Sequence, residues 1–254
     1  MEPEQKKGFM GMSPSEIAIL IVLIIAILVI GGFFVKTVID NSSKQANRQT
    51  SILPPTYTPS PEPTQPTTPT PIPGFNRFEF ASPSGEIWLP EGYEGGDTIT
   101  YPDIVLLTTE IFTEDQKFID DVKNLIEIPE VVFFAFDSYS TGVIRFVYIM
   151  GEPLNPDLNI TLDYYMNSLA DSAKADGAKV IGRTIYQMDR YQAGRVVIEN
   201  LVPAGDLDAY IHLTIYTIHL ENTMWNIAFR TGRDEFNDYL PVMEDIVNTF
   251  LLHP

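Results

Sequence analysis

Residues 209–220 read AYIHLTIYTIHL and residues 223–230 read TMWNIAFR, with only Glu221 and Asn222 between them. Both runs are rich in β-branched and aromatic residues, the composition that suits a pleated, half-buried strand. A two-residue connection permits an antiparallel hairpin and forbids a parallel crossover, which needs about a dozen residues or more. Alternation along the first run sends Ala209, Ile211, Leu213 and Ile215 to one face and Tyr210, His212, Thr214 and Tyr216 to the other.

Working outward from this hairpin, further strands are expected at 77–82, 85–90, 131–137 (VVFFAFD), 143–150 (VIRFVYIM), 179–188 and 194–202. Three stretches carry helical spacing instead. Phe118, Ile119, Val122, Leu125 and Ile126 form one apolar face, started by a Thr113/Gln116 capping-box spacing and stopped by Pro129. Leu162, Tyr165, Met166, Leu169, Ala170 and Ala173 form a second, closed by Gly177, and Leu240, Met243, Val247, Phe250 and Leu251 form a third. No repeat of 20–50 residues is visible, which excludes a solenoid. Adjacent strands separated by a few helices predict an antiparallel α+β domain over residues 75–254, large enough to bury about 70% of its unfolded surface.

The order of these elements resembles a known family. A short hairpin ending in Trp88-Leu89-Pro90, a helical stretch, Phe134-Ala135-Phe136-Asp137, a helix, four strands, and a closing helix running from Tyr239-Leu240-Pro241 to Thr249-Phe250 are similar to the PsbP-like fold, which includes PsbP of photosystem II and the Ran-binding Mog proteins. The resemblance implies an α/β/α sandwich, an antiparallel β-sheet with helices on both faces, and a role in binding or assembly rather than catalysis. The resemblance is to the family's prokaryotic membrane-anchored type: an anchor and no transit peptide are expected here, unlike true PsbP, so no photosystem role is implied.

The sequence before residue 75 has a different character. Ile17 to Val35 is a run of nineteen residues without a charge, bounded by Glu16 and Lys36. At about 1.5 Å per residue it spans roughly 28 Å, close to the thickness of a bilayer core. A transmembrane helix is therefore expected over 17–36, after a tail over 1–16. The run exceeds the apolar core of a cleaved signal peptide, and no A-x-A site follows it. Lys6 to Met12 with Glu16 also resembles a prepilin leader cut after Gly11, which would make the protein a pilin-like surface subunit; Ser13-Pro14-Ser15 and the proline-rich continuation depart from that pattern. Residues 37–74 form a Pro/Thr-rich stalk, with nine prolines among the 24 residues of 51–74. Such a stretch excludes helix and sheet and favours polyproline II. Lysines and arginines flank the apolar run almost equally, so charge does not orient it; a stalk of this composition suits an extracytoplasmic domain on a single-pass cell-membrane anchor. Sequons for N-glycosylation occur at Asn41 and Asn159.

Charge divides the same way. Residues 1–74 hold five acids and five bases, whereas residues 75–254 hold 29 acids and 11 bases, so the net charge of −18 lies wholly in the domain. A domain of that charge repels phosphate, which excludes nucleic acid as a partner and leaves cationic or neutral protein surfaces and ligands. Zero cysteine excludes disulfides, thiolate metal sites and a cysteine nucleophile.

No catalytic, cofactor-binding or metal-ligating constellation emerges. His212 and His219 fall on opposite faces of one strand, and His212 reads as a hydrogen-bonded core or boundary residue; His253 reads as solvated. Glu114, Asp115, Asp120 and Asp121 read as the start and polar side of a helix. Asp206 and Asp208 lack the further acids and the bidentate Glu of a calcium loop. Ser82-Pro83-Ser84-Gly85 is not a nucleophile elbow, and Trp88 and Trp225 read as packing residues. The expectation is a non-catalytic, membrane-anchored binding or accessory module with a protein partner; the alternative is an extracytoplasmic hydrolase or carbohydrate-active domain using an Asp/Glu pair.

Overall fold

The protein is described by a computed structural model, which covers residues 72–188, 191–204 and 207–253. The chain divides into two compact units, 1–60 and 61–254, and the described residues all belong to the second. The tail over 1–16, the transmembrane helix expected over 17–36, the candidate leader site and the stalk before residue 72 lie outside the described residues. Among the described residues, no helix is long and apolar enough to cross a membrane.

Among the described residues, ten strands and four helices follow one another as β1 (Phe75–Ala81), β2 (Ser84–Pro90), β3 (Tyr93–Asp97), α1 (Pro102–Phe112), α2 (Gln116–Ile126), β4 (Val131–Asp137), β5 (Phe146–Pro153), α3 (Leu162–Ala175), β6 (Lys179–Gln187), β7 (Gln192–Ala204), β8 (Leu207–Leu220), β9 (Thr223–Gly232), α4 (Phe236–Thr249) and β10 (Leu251–Leu252). Seven strands make an antiparallel sheet in the order β3-β4-β5-β9-β8-β7-β6, and three make a smaller sheet in the order β1-β2-β10. The hairpin that decides the fold is β8–β9, in which Leu220 faces Thr223 across Glu221 and Asn222. Glu221 takes φ 53°, so a residue with a Cβ occupies the left-handed position of this turn.

Register assigns each face its cover. Tyr216, Ile218, Trp225, Ile227 and Phe229 point to the side occupied by α4 and the β1–β2 hairpin, where Met243, Ile246, Val247, Ile87 and Leu89 complete the larger core. Phe134, Phe136 and Phe146 point the other way and pack with Val105 of α1 and Phe118 and Val122 of α2. Further along the same face, α3 lies over β6, β7 and β8, with Tyr165 and Met166 buried. Helices on both faces of an antiparallel sheet give the expected α+β architecture.

The local signals are partly relocated. The cap of α2 is Asp115, whose Oδ1 accepts from the Phe118 N–H at 3.1 Å, two residues later than the Thr113 spacing suggests; Thr113 instead accepts from the Asp115 N–H. Thr161 caps α3, and Gly177 at φ 83° ends it with the Gly177 N–H donating to Lys174 O. The closing helix ends at Thr249, and Leu251 and Leu252 leave it to pair with Glu86 and Gly85 of β2. Three elements, β3, α1 and β10, were not expected from the sequence, and α1 carries an exposed apolar stripe.

Candidate interaction surface

Helix α1 begins because Pro102 occupies its first turn, where a missing N–H costs nothing and φ is already helical, and because Asp103 follows it near the positive end of the helix dipole. No side chain caps its N-terminus. The turn before it is fixed instead by Asp97, which is buried at the end of β3. Its Oδ1 accepts from the Ile99 and Thr100 N–H groups at 2.8 and 2.7 Å, and its Oδ2 accepts from the Ala81 N–H and the Thr100 hydroxyl at 2.7 and 2.8 Å. Burial works to raise the Asp97 carboxyl, but these hydrogen bonds outweigh it and hold the group below the ordinary aspartate value. Thr98 adds a hydrogen bond from its hydroxyl to Val131 O at 2.6 Å. The start of α1 is thereby tied to β1, β3 and the beginning of β4.

Only Val105 and Thr109 of this helix are buried. Ile104, Leu107 and Ile111 are 59%, 55% and 68% exposed, against 2% for Val105. At about 100° per residue, positions i, i+3 and i+7 fall on one stripe, and that stripe lies on the side of α1 turned away from Val105 and Thr109. Tyr101 and Phe112 are exposed at the two ends of the helix. Three large aliphatic residues exposed on one stripe of a helix form an apolar patch, whereas isolated exposed apolar residues need no explanation. On the same wheel Asp103 and Glu110 flank the stripe on one shoulder. Between Arg77 and Lys117 the sequence contains nine acids and no base.

Several of the charged groups elsewhere are held in the fold by one another. Glu86 has no exposed surface and receives Arg77 (Nε–Oε2 2.9 Å), the Trp88 indole N–H at 3.3 Å and His253 at 3.3 Å. His253 is exposed, as expected, and its ring also reaches the buried Glu86 carboxylate. Burial tends to raise the Glu86 carboxyl, but the hydrogen bonds from Arg77 and Trp88 and the nearby positive charges prevail and lower it. Asp137 binds Arg145, which also reaches Glu235 and stacks on Tyr239 at 5.1 Å. Glu152 accepts from the Tyr165 hydroxyl, which in turn accepts from Asn226, and Asn226 accepts from Thr217.

The remaining sequence candidates are placed as follows. His212 is buried on the α4 face, with Nε2 at 3.3 Å from Glu199 and its ring against Phe236 at 4.6 Å; His219 is exposed near the end of β8, on the other face. Of the helix acids, Asp115 is the α2 cap, Asp120 accepts from Gln116, and burial raises the Asp121 carboxyl above the ordinary range. Trp225 packs on Phe250 at 6.0 Å, and Trp88 is half-buried. Asp206 lies outside the described residues. Among the described residues, no group of three or more His, Asp or Glu side chains is placed to hold a metal. Arg230 stands out among the described arginines in having no carboxylate in contact, and it stacks instead on Phe146 at 5.4 Å.

Sheet order and helix placement define the class, an antiparallel α+β sandwich with an accessory three-stranded sheet. Solved structures similar to this chain include cyanobacterial PsbP (CyanoP) from Synechocystis sp. PCC 6803, at 12% identity and a TM-score of 0.46, covering 76% of this chain and 100% of that one. They also include the Ran-binding protein Mog1p of Saccharomyces cerevisiae, at 10% identity and a TM-score of 0.43, covering 70% and 95% of the two chains. A Pseudomonas aeruginosa protein of unknown function, described as a putative regulator, matches at 11% identity and a TM-score of 0.38 over 45% and 77%. No protein-family model and no curated protein matches the chain. Identities of this order concern the fold alone.

Proposed function

We propose that this protein is a non-catalytic binding module, anchored in the cell membrane by residues 17–36 and holding the domain over residues 75–254 outside the cytoplasm on its Pro/Thr-rich stalk. The observation that carries the binding role is the α1 stripe: three large aliphatic side chains are displayed to solvent on a helix whose start is fixed by a buried aspartate. Ordered elements that expose apolar surface at this density act through contact with another macromolecule. The anchoring rests on the uncharged nineteen-residue run, and the outward orientation on the stalk composition.

A photo-crosslinking residue at position 107 of the full chain, expressed in its native membrane, tests the binding role. A discrete adduct is expected at 107 and not at exposed Asn167 of α3, and it disappears when Ile104 and Ile111 are changed to serine. Equal labelling at both positions overturns the reading. Carbonate extraction tests the anchor: the full chain stays with the membrane, and a chain lacking 17–35 is released. Protease added to intact cells cleaves the domain only if it lies outside.

A further inference from the structure

We infer that the partner seated on α1 is a basic amphipathic helix, which lays its apolar face along Ile104, Leu107 and Ile111 and its lysines or arginines along Asp103 and Glu110. The inference rests on the binding role proposed for α1 and adds the chemistry of the occupant. The stripe repeats at i, i+3 and i+7, so it forms a ridge about two turns long, the shape that a second helix meets with its own apolar ridge. Its acidic shoulder has no internal answer. Asp103 and Glu110 lie one above the other on the same side, and α1 contains no lysine or arginine. None of the ion pairs among the described residues involves Asp103 or Glu110: Arg77, Arg145, Lys174, Lys179, Arg183, Arg195 and Arg233 pair with other carboxylates, and Lys117 and Lys123 of the neighbouring α2 form no ion pair with either acid. The unpaired shoulder is therefore open to positive charge brought by the partner, which is the usual way an interface selects among apolar surfaces.

The same charges argue against the other occupants of an apolar helix. A second copy of this chain brings an identical acidic shoulder on a domain with a net excess of 18 acids, so α1 packed on α1 sets like charges together. An anionic bilayer repels the shoulder for the same reason.

The full 254-residue chain in nanodiscs of zwitterionic lipid, with empty nanodiscs as the blank, provides the test. The probes are three labelled 18-residue model helices sharing one leucine stripe, with lysine, glutamine or glutamate on the flanks. The lysine helix binds best, the glutamine helix about threefold to tenfold more weakly, and the glutamate helix least. Asp103→Asn with Glu110→Gln removes the lysine advantage and its salt dependence and leaves glutamine-helix binding unchanged. Leu107→Ser with Ile111→Ser abolishes binding of all three. Equal binding of the lysine and glutamine helices, or an unchanged preference in the Asp103/Glu110 variant, overturns the basic partner while leaving the α1 reading intact. Binding indifferent to the Leu107/Ile111 variant overturns the α1 reading itself. Concentration-dependent dimerisation lost in that variant assigns the stripe to a second copy, and stripe-dependent binding to anionic vesicles without peptide assigns it to lipid; either result overturns the proposal.

Discussion

Asp97 and Thr100 form a closed pair, with the Thr100 N–H on Oδ1 at 2.7 Å and the Thr100 hydroxyl on Oδ2 at 2.8 Å. Because the same carboxylate also binds Ala81 and Ile99, the turn that aims α1 depends on one buried charge. Asp97→Ala leaves three backbone N–H groups without their acceptor and is expected to cost about 3 kcal/mol, read from chemical denaturation. The folded pKa is depressed, so the stability it contributes is present above the unfolded aspartate value and is lost as pH falls through the folded one. Wild type should therefore lose stability through the acid range below about pH 4, and the alanine variant should lose less over that interval.

Glu152 has the opposite sign. Burial raises its carboxyl, and although the Tyr165 hydroxyl opposes that shift, it remains above the ordinary glutamate value. A group that binds its proton more tightly when folded contributes stability below its unfolded pKa and loses it as pH rises through its folded pKa. Glu152→Gln keeps an acceptor for Tyr165 and removes the buried charge. Its Tm is expected to exceed that of wild type at pH 7 and to converge with it near pH 4. Equal Tm differences at both values would refute a titrating Glu152.

Gly95 is a position where only glycine fits. Its φ is 143°, and a Cβ there would lie 2.2 Å from Phe134 O and 2.6 Å from Ala135 Cα, both backbone atoms of β4. Gly95→Ala must push β3 off the sheet edge, at a cost of roughly 3 kcal/mol. Hydrogen exchange should show the loss first at the β3–β4 pairs and at the N-terminus of α1, which β3 leads into.

The contrast between β8–β9 and α1 shows what a sequence of this kind discloses. The hairpin is legible because both partners are adjacent in sequence and both are rich in the β-branched and aromatic residues that a buried sheet accepts, so local pattern and tertiary environment agree. Strands β4 and β5 and the stripe of α3 are legible for the same reason. Helix α1 is hidden because PDIVLLTTEIF has apolar residues on most of its circumference, so periodicity cannot separate a helix from a buried strand. The available signal was Pro102 followed by Asp103, a first-turn signature that needs no periodicity. Strand β3 is hidden by its two glycines, and the pairing of β10 with β2 joins residues too far apart for any local cue. The site was missed with its helix: exposure of Ile104, Leu107 and Ile111 is a tertiary fact, and the same residues in a buried helix would read identically.

The β8–β9 turn gives a small stabilising change. Glu221 holds φ 53° with a Cβ that resists it. Glu221→Gly removes that resistance but adds backbone freedom to the unfolded chain, so the net gain is expected to be about 0.5 kcal/mol. A shift of the denaturation midpoint to higher urea at constant slope checks it.

Two residues on neighbouring helices separate docking from folding. Phe118 of α2 is 3% exposed and meets Phe136 edge-on at 5.7 Å, so Phe118→Ala opens the second core and is expected to cost about 3–5 kcal/mol. Leu107 of α1 is of similar character but displays 55% of its surface, so Leu107→Ser should change stability by less than about 0.5 kcal/mol. If Leu107 is a docking residue, its loss weakens partner capture at unchanged Tm, whereas the loss of Phe118 lowers Tm. A Leu107→Ser variant that unfolds near the Phe118→Ala midpoint would show that the stripe is structural, because a side chain that the folded state leaves mostly in water has little burial to lose.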